Sequence, residues 1–228
     1  GSTNDDMLAL ARAGAEEGSW MRAERHTSGR GRQGSAWDSP SGTLFASTLV
    51  RLRPDDSSPA TLALVASLAL HDAVSAFLPA DAHDELNLKW PNDLLLRLAK
   101  LSGILLERKD DAIVIGIGVN LASHPDNLDR LTISLSSYGP PPAPDIFLIE
   151  LSERFADWVD SWRTDGLDHI RTSWLKRAHA KGTALSVHDP SGERINGSFD
   201  DITRDGALCL RLADGSVRVM HAGDVFLV

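Results

Sequence analysis

The sequence at residues 113–121 is IVIGIGVNL, an apolar run interrupted only by two glycines and an asparagine. Such a run predicts a central strand that is buried on both faces. Residues at alternate positions of a strand share one face, so Gly116 and Gly118 would leave a groove on one side of the sheet. The groove has room for a flat or aliphatic ligand, and it suits the close packing of a helix equally well.

Helix and strand signals alternate on both sides of this run. Helices are predicted from Thr3 or Asn4 to Gly14, at 60–77, from Asp145 through Trp162, and at 168–179. Strands are predicted at 20–24, 44–52, 86–90, 94–96 and 100–107, and residues 122–144 are predicted to be a loop. After residue 182, short strands separated by Gly-containing turns predict a small β-barrel. We therefore expect an α+β domain at 1–180 and a second domain at 181–228.

Composition and charge narrow the class of protein. The chain has 228 residues, 42% of them hydrophobic and 24% charged, as in ordinary globular proteins. Its net charge of −9 argues against a general nucleic-acid or membrane-surface binder. Cys209 is the one cysteine, which excludes an internal disulfide and favours a reducing compartment. We predict no membrane span, because the longest apolar run, 61–70, is too short to cross a bilayer. We also predict no signal peptide.

A glycine-rich stretch, SGRGRQGSAW at residues 28–37, is the first candidate binding element. Its glycines allow the backbone to approach a ligand closely, and Arg30 and Arg32 offer forked donors for phosphate or carboxylate. Trp37 could stack on a purine. A solvated surface loop with incidental arginines explains the same residues about as well.

The second candidate element is KWPND at residues 89–93, followed by Lys100 and Gly103. It places Asn92 and Asp93 at the end of a predicted strand, where α/β folds often hold ligands. Lysine is a compact charge that suits a single developing oxyanion. The alternative is a core tryptophan followed by an ordinary turn, which explains Trp90 better than it explains Lys100.

Other chemistries find no support in the sequence. The histidines lack metal-ligand spacing, and no nucleophile elbow, Walker loop or dinucleotide fingerprint is present.

Four blocks, taken together and in order, resemble biotin protein ligases, the biotin–[acetyl-CoA-carboxylase] ligases. They are Ser-Thr-Asn at 2–4, the glycine-rich stretch, KWPND with its following Lys-x-x-Gly-Ile-Leu at 100–105, and Ile-Gly-x-Gly-x-Asn at 115–120. The resemblance implies a mixed β-sheet with flanking helices, as in class II aminoacyl-tRNA synthetases. It also implies an SH3-like C-terminal β-barrel.

The resemblance implies a two-step reaction with ATP, biotin and Mg²⁺. Biotin and ATP would give biotinyl-5′-AMP and pyrophosphate, and biotin would then pass to a lysine of the biotin carboxyl carrier protein of acetyl-CoA carboxylase. A cytoplasmic location is expected, and a homodimer remains open. Some relatives carry a DNA-binding domain before the catalytic region, where this acidic chain begins, so we predict no DNA binding.

The resemblance also implies roles for individual residues. The catalytic residues would be Lys100, Arg32 and Arg30. The biotin site would be formed by Ser2, Thr3, Asn4, His26, Arg30, Gly31, Arg32, Lys100, Gly103, Gly116 and Gly118. The ATP and adenylate site would be formed by Arg30, Arg32, Trp37, Lys89, Asn92, Asp93, Lys100 and Asn120. No protein metal site is predicted, and Mg²⁺ would arrive with the ATP phosphates, near Asp93. Two positions depart from the family pattern, since His26 replaces a glutamine and Gln33 a basic residue.

Two alternatives stay open. A lipoate or octanoyl ligase or transferase shares the expected fold, but its Arg-Arg-x-x-Gly-Gly-Gly signature is missing. A non-catalytic module that binds the carrier protein is the second alternative, and the presence of Arg32 and Lys100 speaks against it.

Overall fold

The computed structural model describes residues 1–31, 41–125, 131–189 and 191–228. Its α-helices are α1 (Thr3–Arg12), α2 (Leu62–Ser75), α3 (Pro144–Thr164) and α4 (Leu167–Leu175). Its first six strands are β1 (Trp20–Ala23), β2 (Thr43–Arg51), β3 (Leu86–Lys89), β4 (Asp93–Leu96), β5 (Ala99–Lys109) and β6 (Ala112–Asn120). Five more strands follow: β7 (Ala184–His188), β8 (Arg194–Ile202), β9 (Leu208–Arg211), β10 (Val217–Met220) and β11 (Asp224–Leu227).

The first six strands form one sheet in the order β1-β2-β6-β5-β4-β3, and each neighbouring pair is antiparallel. Two isolated parallel bridges, Leu88 with Ala178 and Lys100 with Thr132, add to it. The predicted central strand is confirmed, because β6 lies between β2 and β5.

The two faces of this sheet are covered differently. On one face, Ile113, Ile115 and Ile117 of β6 belong to the main core, together with residues of α2, α3 and α4. On the other face, Val114 packs in a small cluster with Met7 of α1. Successive strand residues point to opposite faces, so the alternation of β6 assigns its glycines to the side of α1.

The C-terminal strands form a second sheet in the order β10-β9-β8-β7-β11. Strands β10 and β11 lie at opposite ends, so this sheet is not closed into the predicted barrel, although it is consistent with the SH3-like fold. Hydrogen bonds from Lys89, the last residue of β3, and from Trp90, just after it, connect this C-terminal region to the first sheet. Lys89 Nζ donates to the Val225 carbonyl at 2.8 Å, and Trp90 Nε1 donates to the Gly206 carbonyl at 2.9 Å.

Three local predictions need correction. Ser2 occupies the N-cap position of helix α1 without a capping bond from its side chain, so Thr3 and Asn4 lie in the first turn. Helix α4 ends at Leu175 rather than at 179, because the Arg177 carbonyl accepts a bond from the Leu88 amide and draws the chain along β3. The predicted loop at 122–144 contains a short 3₁₀ helix, Leu135–Tyr138. No helix in the described part of the chain has the length and apolar character that crossing a membrane requires.

Candidate active site

A cavity of about 800 Å³ lies on the face of the first sheet that carries the glycines of β6. A volume of this size is typical of sites that bind small molecules or cofactors. The candidate residues from the sequence that line it are Ser2, Thr3, Asn4, His26, Arg30, Gly31, Lys89, Asn92, Asp93, Lys100, Gly103, Gly116 and Gly118.

The floor of the cavity is flat because glycines meet across the strands. Gly118 of β6 is paired with Gly103 of β5 on one side and with Phe45 of β2 on the other. A Cβ atom on Gly116 would overlap the side-chain amide of Asn4, so the amide would have to shift. Glycine at 116 is therefore required for Asn4 to lie against the floor.

The start of helix α1 forms one wall. Thr3 and Asn4 are buried, and both contact the hydroxyl of Ser47, which is fully buried in β2. Ser47 Oγ lies 2.7 Å from Thr3 Oγ1 and 2.7 Å from Asn4 Oδ1. Asn4 Nδ2 donates to Glu107 Oε2 at 2.7 Å. This wall presents polar groups that suit a small polar ring.

His26 lies beside the same wall. Its Nε2 is 3.3 Å from the Thr3 amide nitrogen and 3.2 Å from Thr3 Oγ1, and its ring packs against Phe45 with a centroid distance of 4.6 Å. Burial lowers the pKa of His26 below its ordinary value, because the charged ring loses solvation. The imidazole is therefore neutral near pH 7.

A buried cluster of charge lies at the other end of the cavity. The Asp93 carboxylate forms ion pairs with Lys100 and with Lys89, the latter at 3.0 Å. Burial acts to raise the pKa of Asp93, but the two ammonium groups outweigh it and hold this pKa below its ordinary value. The cluster therefore carries two positive charges and one negative charge, a net attraction for an anionic ligand.

Arg30 brings a third cation to the cavity. Its guanidinium is 2.5 Å from Asp5 and 3.4 Å from Glu107. Since an arginine that is half exposed costs little to reposition, Arg30 can exchange these partners for a ligand anion. Arg32 and Trp37, the other predicted members of this loop, lie outside the described residues.

The two predicted asparagines lie in different places. Asn92 lines the cavity, and its amide donates to the Ile104 carbonyl at 2.6 Å. Asn120 is buried, is not part of the cavity wall, and donates to the Ile133 carbonyl at 3.0 Å. Its visible role is to hold the segment after residue 130 against β6.

Sequence reasoning missed several site residues. Phe45, Ser47 and Glu107 lie on or just behind the wall, and the segment 224–227 of β11 also lines the cavity. Ser47 could have been noticed as a polar residue inside an apolar strand. The contribution of β11 carried no such signal, because it depends on how the two sheets meet.

The described residues provide no metal site of their own. Across the described ranges, no group of three or more His, Cys, Asp or Glu side chains could hold an ion. Asp93, the acid predicted to lie near Mg²⁺, has both carboxylate oxygens engaged by lysines. The residues therefore do not fit a resident magnesium ion, and we assign no step to one.

The fold and the cavity define a class of protein: an α+β domain with an anion-attracting pocket on its sheet, followed by a small β-domain. The Biotin/lipoate A/B protein ligase family matches residues 2–120, and the Biotin protein ligase C terminal domain matches residues 187–228. A biotin–[acetyl-CoA-carboxylase] ligase of Paracoccus denitrificans is 37% identical over 99% of this chain and 96% of its own. The chain therefore belongs to the Biotin/lipoate A/B protein ligase family, and the resemblance to biotin protein ligases is confirmed.

Other similar proteins support the same family assignment. A biotin–[acetyl-CoA-carboxylase] ligase of Mycobacterium tuberculosis is 35% identical over 99% of this chain and 85% of its own. Among solved structures, the biotin protein ligase of Aquifex aeolicus in complex with biotin and ATP superposes with a TM-score of 0.85. It covers 100% of this chain and 95% of the other at 21% identity, which confirms the predicted fold class.

Proposed function

We propose that this chain is an ATP-dependent biotin–[acetyl-CoA-carboxylase] ligase. The observation that carries the proposal is the cavity itself. One end offers polar groups of the size of a small ring, at Thr3, Asn4 and His26, and the other end offers the ammonium groups of Lys89 and Lys100. Biotin combines a polar bicyclic ring with a carboxylate on an aliphatic tail, and the glycine floor between the two ends suits that tail.

The first step joins two anions. An oxygen of the biotin carboxylate attacks the α-phosphorus of ATP, the bond from that phosphorus to the bridging oxygen breaks, and pyrophosphate leaves. The product is biotinyl-5′-AMP. Two negative reactants repel each other, so the site must supply positive charge where they meet. Lys100 and Arg30 line the cavity and are the described residues that we assign to this role.

The second step transfers biotin to protein. The ε-amine of a lysine on the biotin carboxyl carrier protein attacks the acyl carbon, the carbon–oxygen bond to AMP breaks, and the amine releases a proton to solvent. The site needs no nucleophile of its own, because the acceptor lysine supplies the attacking amine.

The proposal also covers the reaction products, the metal, the cellular location and the acceptor. ATP would be split to AMP and pyrophosphate, Mg²⁺ would enter as a complex with the nucleotide phosphates, and the protein would act in the cytoplasm. The acceptor would be the carrier domain of a carboxylase. A homodimer remains a prediction, which light scattering of the purified protein tests.

The experiment combines two readouts. Purified protein is incubated with ATP, Mg²⁺, biotin and a carrier domain, and biotin transfer is followed with labelled avidin. In parallel, exchange of labelled pyrophosphate into ATP is measured with biotin and with lipoate. Transfer together with biotin-dependent exchange supports the proposal. Exchange with lipoate and not with biotin would instead identify a lipoate ligase, and no exchange with either acid would indicate a binding module.

A further inference from the structure

Lys89 connects the C-terminal sheet to the charged end of the cavity. Its ammonium donates to the carbonyl oxygen of Val225 in β11 at 2.8 Å and forms an ion pair with Asp93 at 3.0 Å. The side chain of Lys89 is only 14% exposed, so water competes little for these contacts. One ammonium group therefore bridges a backbone atom of the second sheet and a buried acid of the first.

The place of β11 in its sheet explains why a backbone carbonyl is available to Lys89. Among the described strands, β11 ends the C-terminal sheet and pairs with β7 alone. An end strand carries backbone groups that no neighbouring strand satisfies, and those that are buried need another partner. Val225 is buried, and Lys89 supplies the partner for its carbonyl. The contact thus anchors β11 beside the cavity that this strand lines.

The other end of the bridge reaches Lys100. The Asp93 carboxylate meets Lys89 with one oxygen and Lys100 with the other. Because two ammonium groups share one negative charge, Lys100 is held in place while the cluster keeps a net positive charge. Without Lys89, Lys100 alone would balance Asp93, and it would attract a substrate anion less strongly.

We propose that Lys89 is a positioning residue, which shares Asp93 with Lys100 and is itself held by Val225, so that β11 helps to fix Lys100 where the substrate anions meet. The family resemblance implies instead that Lys89 belongs to the ATP site. The two roles differ in their consequence, since a nucleotide contact acts on the KM for ATP, whereas a positioning residue acts on the rate at saturation. The inference rests on the proposed function and adds to it a role for the second sheet.

The test uses Lys89→Met, which keeps an unbranched aliphatic chain and removes the ammonium, alone and combined with Asp93→Asn. Arg171→Met is the matched control. Arg171 of α4 also donates to a carbonyl of the C-terminal sheet, that of Ile202 at 2.6 Å, but it does not line the cavity. Biotin-dependent pyrophosphate exchange gives the rate at saturation and the KM for ATP. Amide hydrogen exchange at 224–227 reports on β11 and does not depend on activity.

We expect Lys89→Met to lower the rate at saturation about tenfold and to change the KM for ATP less than about twofold. Amide exchange in β11 should become about tenfold faster, because a hydrogen bond to a charged group is lost. In the Asp93→Asn background, Lys89→Met should have little further effect on the rate, since the shared negative charge is already gone. Arg171→Met should leave the rate and the amide exchange at 224–227 near their wild-type values.

Three results in an active wild-type background would overturn this inference alone. They are an unchanged rate in Lys89→Met, a rise in the KM for ATP that exceeds the fall in rate, and a full additional loss from Lys89→Met in the Asp93→Asn background. Equal slowing by Arg171→Met would also overturn it, because general loosening between the two sheets would then suffice. Wild-type protein inactive with biotin would overturn the proposed function, and the inference with it. If Asp93→Asn does not fold, the single variant's rate, KM and amide exchange decide.

Discussion

Asp93 and Lys100 form an ion pair at the wall of the cavity, with side chains that are only 6% and 10% exposed. Lys89 approaches the second oxygen of the same carboxylate. The lysine that we assign to the substrate anions is thus held in place by a buried acid. This arrangement restricts where the ammonium can lie before the substrate arrives, which is the preorganisation that electrostatic catalysis requires.

Replacing this acid should harm both stability and catalysis. In Asp93→Asn the two lysines lose their shared counter-charge in a buried place, so we expect unfolding free energy to fall by about 3 kcal/mol. Pyrophosphate exchange should slow as Lys100 loses its fixed position. Denaturant unfolding and the exchange assay measure the two effects. Asp157→Asn, at an exposed site, is the control, and equal behaviour of the two variants would contradict the role given to Asp93.

The glycine at 116 gives a test of the cavity floor. In Gly116→Ala the new methyl group meets the Asn4 amide, so we expect a loss of about 1–3 kcal/mol in stability and a marked rise in the KM for biotin. Adding Asn4→Ala removes the clash. The double variant should therefore recover stability while its use of biotin stays poor. If stability does not recover in the double variant, the clash with Asn4 is not the cause of the stability loss in Gly116→Ala.

The neutral state of His26 predicts how biotin binding depends on pH. Burial lowers the pKa of this ring below 6.5, so the neutral form prevails at pH 7 and is lost on acidification below that pKa. If the bound state needs neutral His26, the KM for biotin should be flat from pH 8 to 6.5 and rise once the pH falls below the lowered pKa of His26. His26→Gln should abolish that rise. An identical pH profile of the biotin KM in wild type and His26→Gln would exclude this role.

A second histidine should govern stability in acid. Burial, with a smaller effect of Lys89, lowers the pKa of His179 from 6.5 to about 4. The unfolded chain therefore binds a proton between these pH values that the folded chain does not, so stability should fall as pH drops from 6.5 to 4. The loss should be about 3 kcal/mol at most. Urea unfolding of wild type and His179→Gln measures it, and parallel curves for the two proteins would contradict the assignment.

The main strands of the first domain can be predicted from the sequence. The apolar run at 113–121 predicted the central strand, whereas its alternating glycines suited a ligand groove and close helix packing equally. The structure shows both, since the two glycines line the cavity and Asn4 of α1 lies against Gly116. These signals are local, because strand period and the absence of a side chain are properties of neighbouring residues. The four sequence blocks that resemble biotin protein ligases contain most of the residues that line the cavity.

The pairings within the site could not be predicted. Lys89 is a local partner of Asp93, four residues before it, but nothing local indicates that Lys100 joins the same carboxylate, because Lys100 reaches it through the pairing of β4 with β5. Glu107 meets Asn4 across 103 residues of chain for the same kind of reason. The closed barrel was wrong because turn signals predict strands and hairpins but not whether the end strands of a sheet meet.

The central claim is that the Lys100 ammonium neutralises negative charge on the biotin carboxylate and on the α-phosphate of ATP while the bond between them forms. The direct measurement is the rate of biotin-dependent pyrophosphate exchange in Lys100→Met, which keeps the length of the side chain and removes its charge. Saturating biotin and ATP separate this rate from binding, and a thermal midpoint confirms folding. We predict a fall of at least about 100-fold relative to wild type. A folded Lys100→Met protein that exchanges at the wild-type rate would contradict the claim.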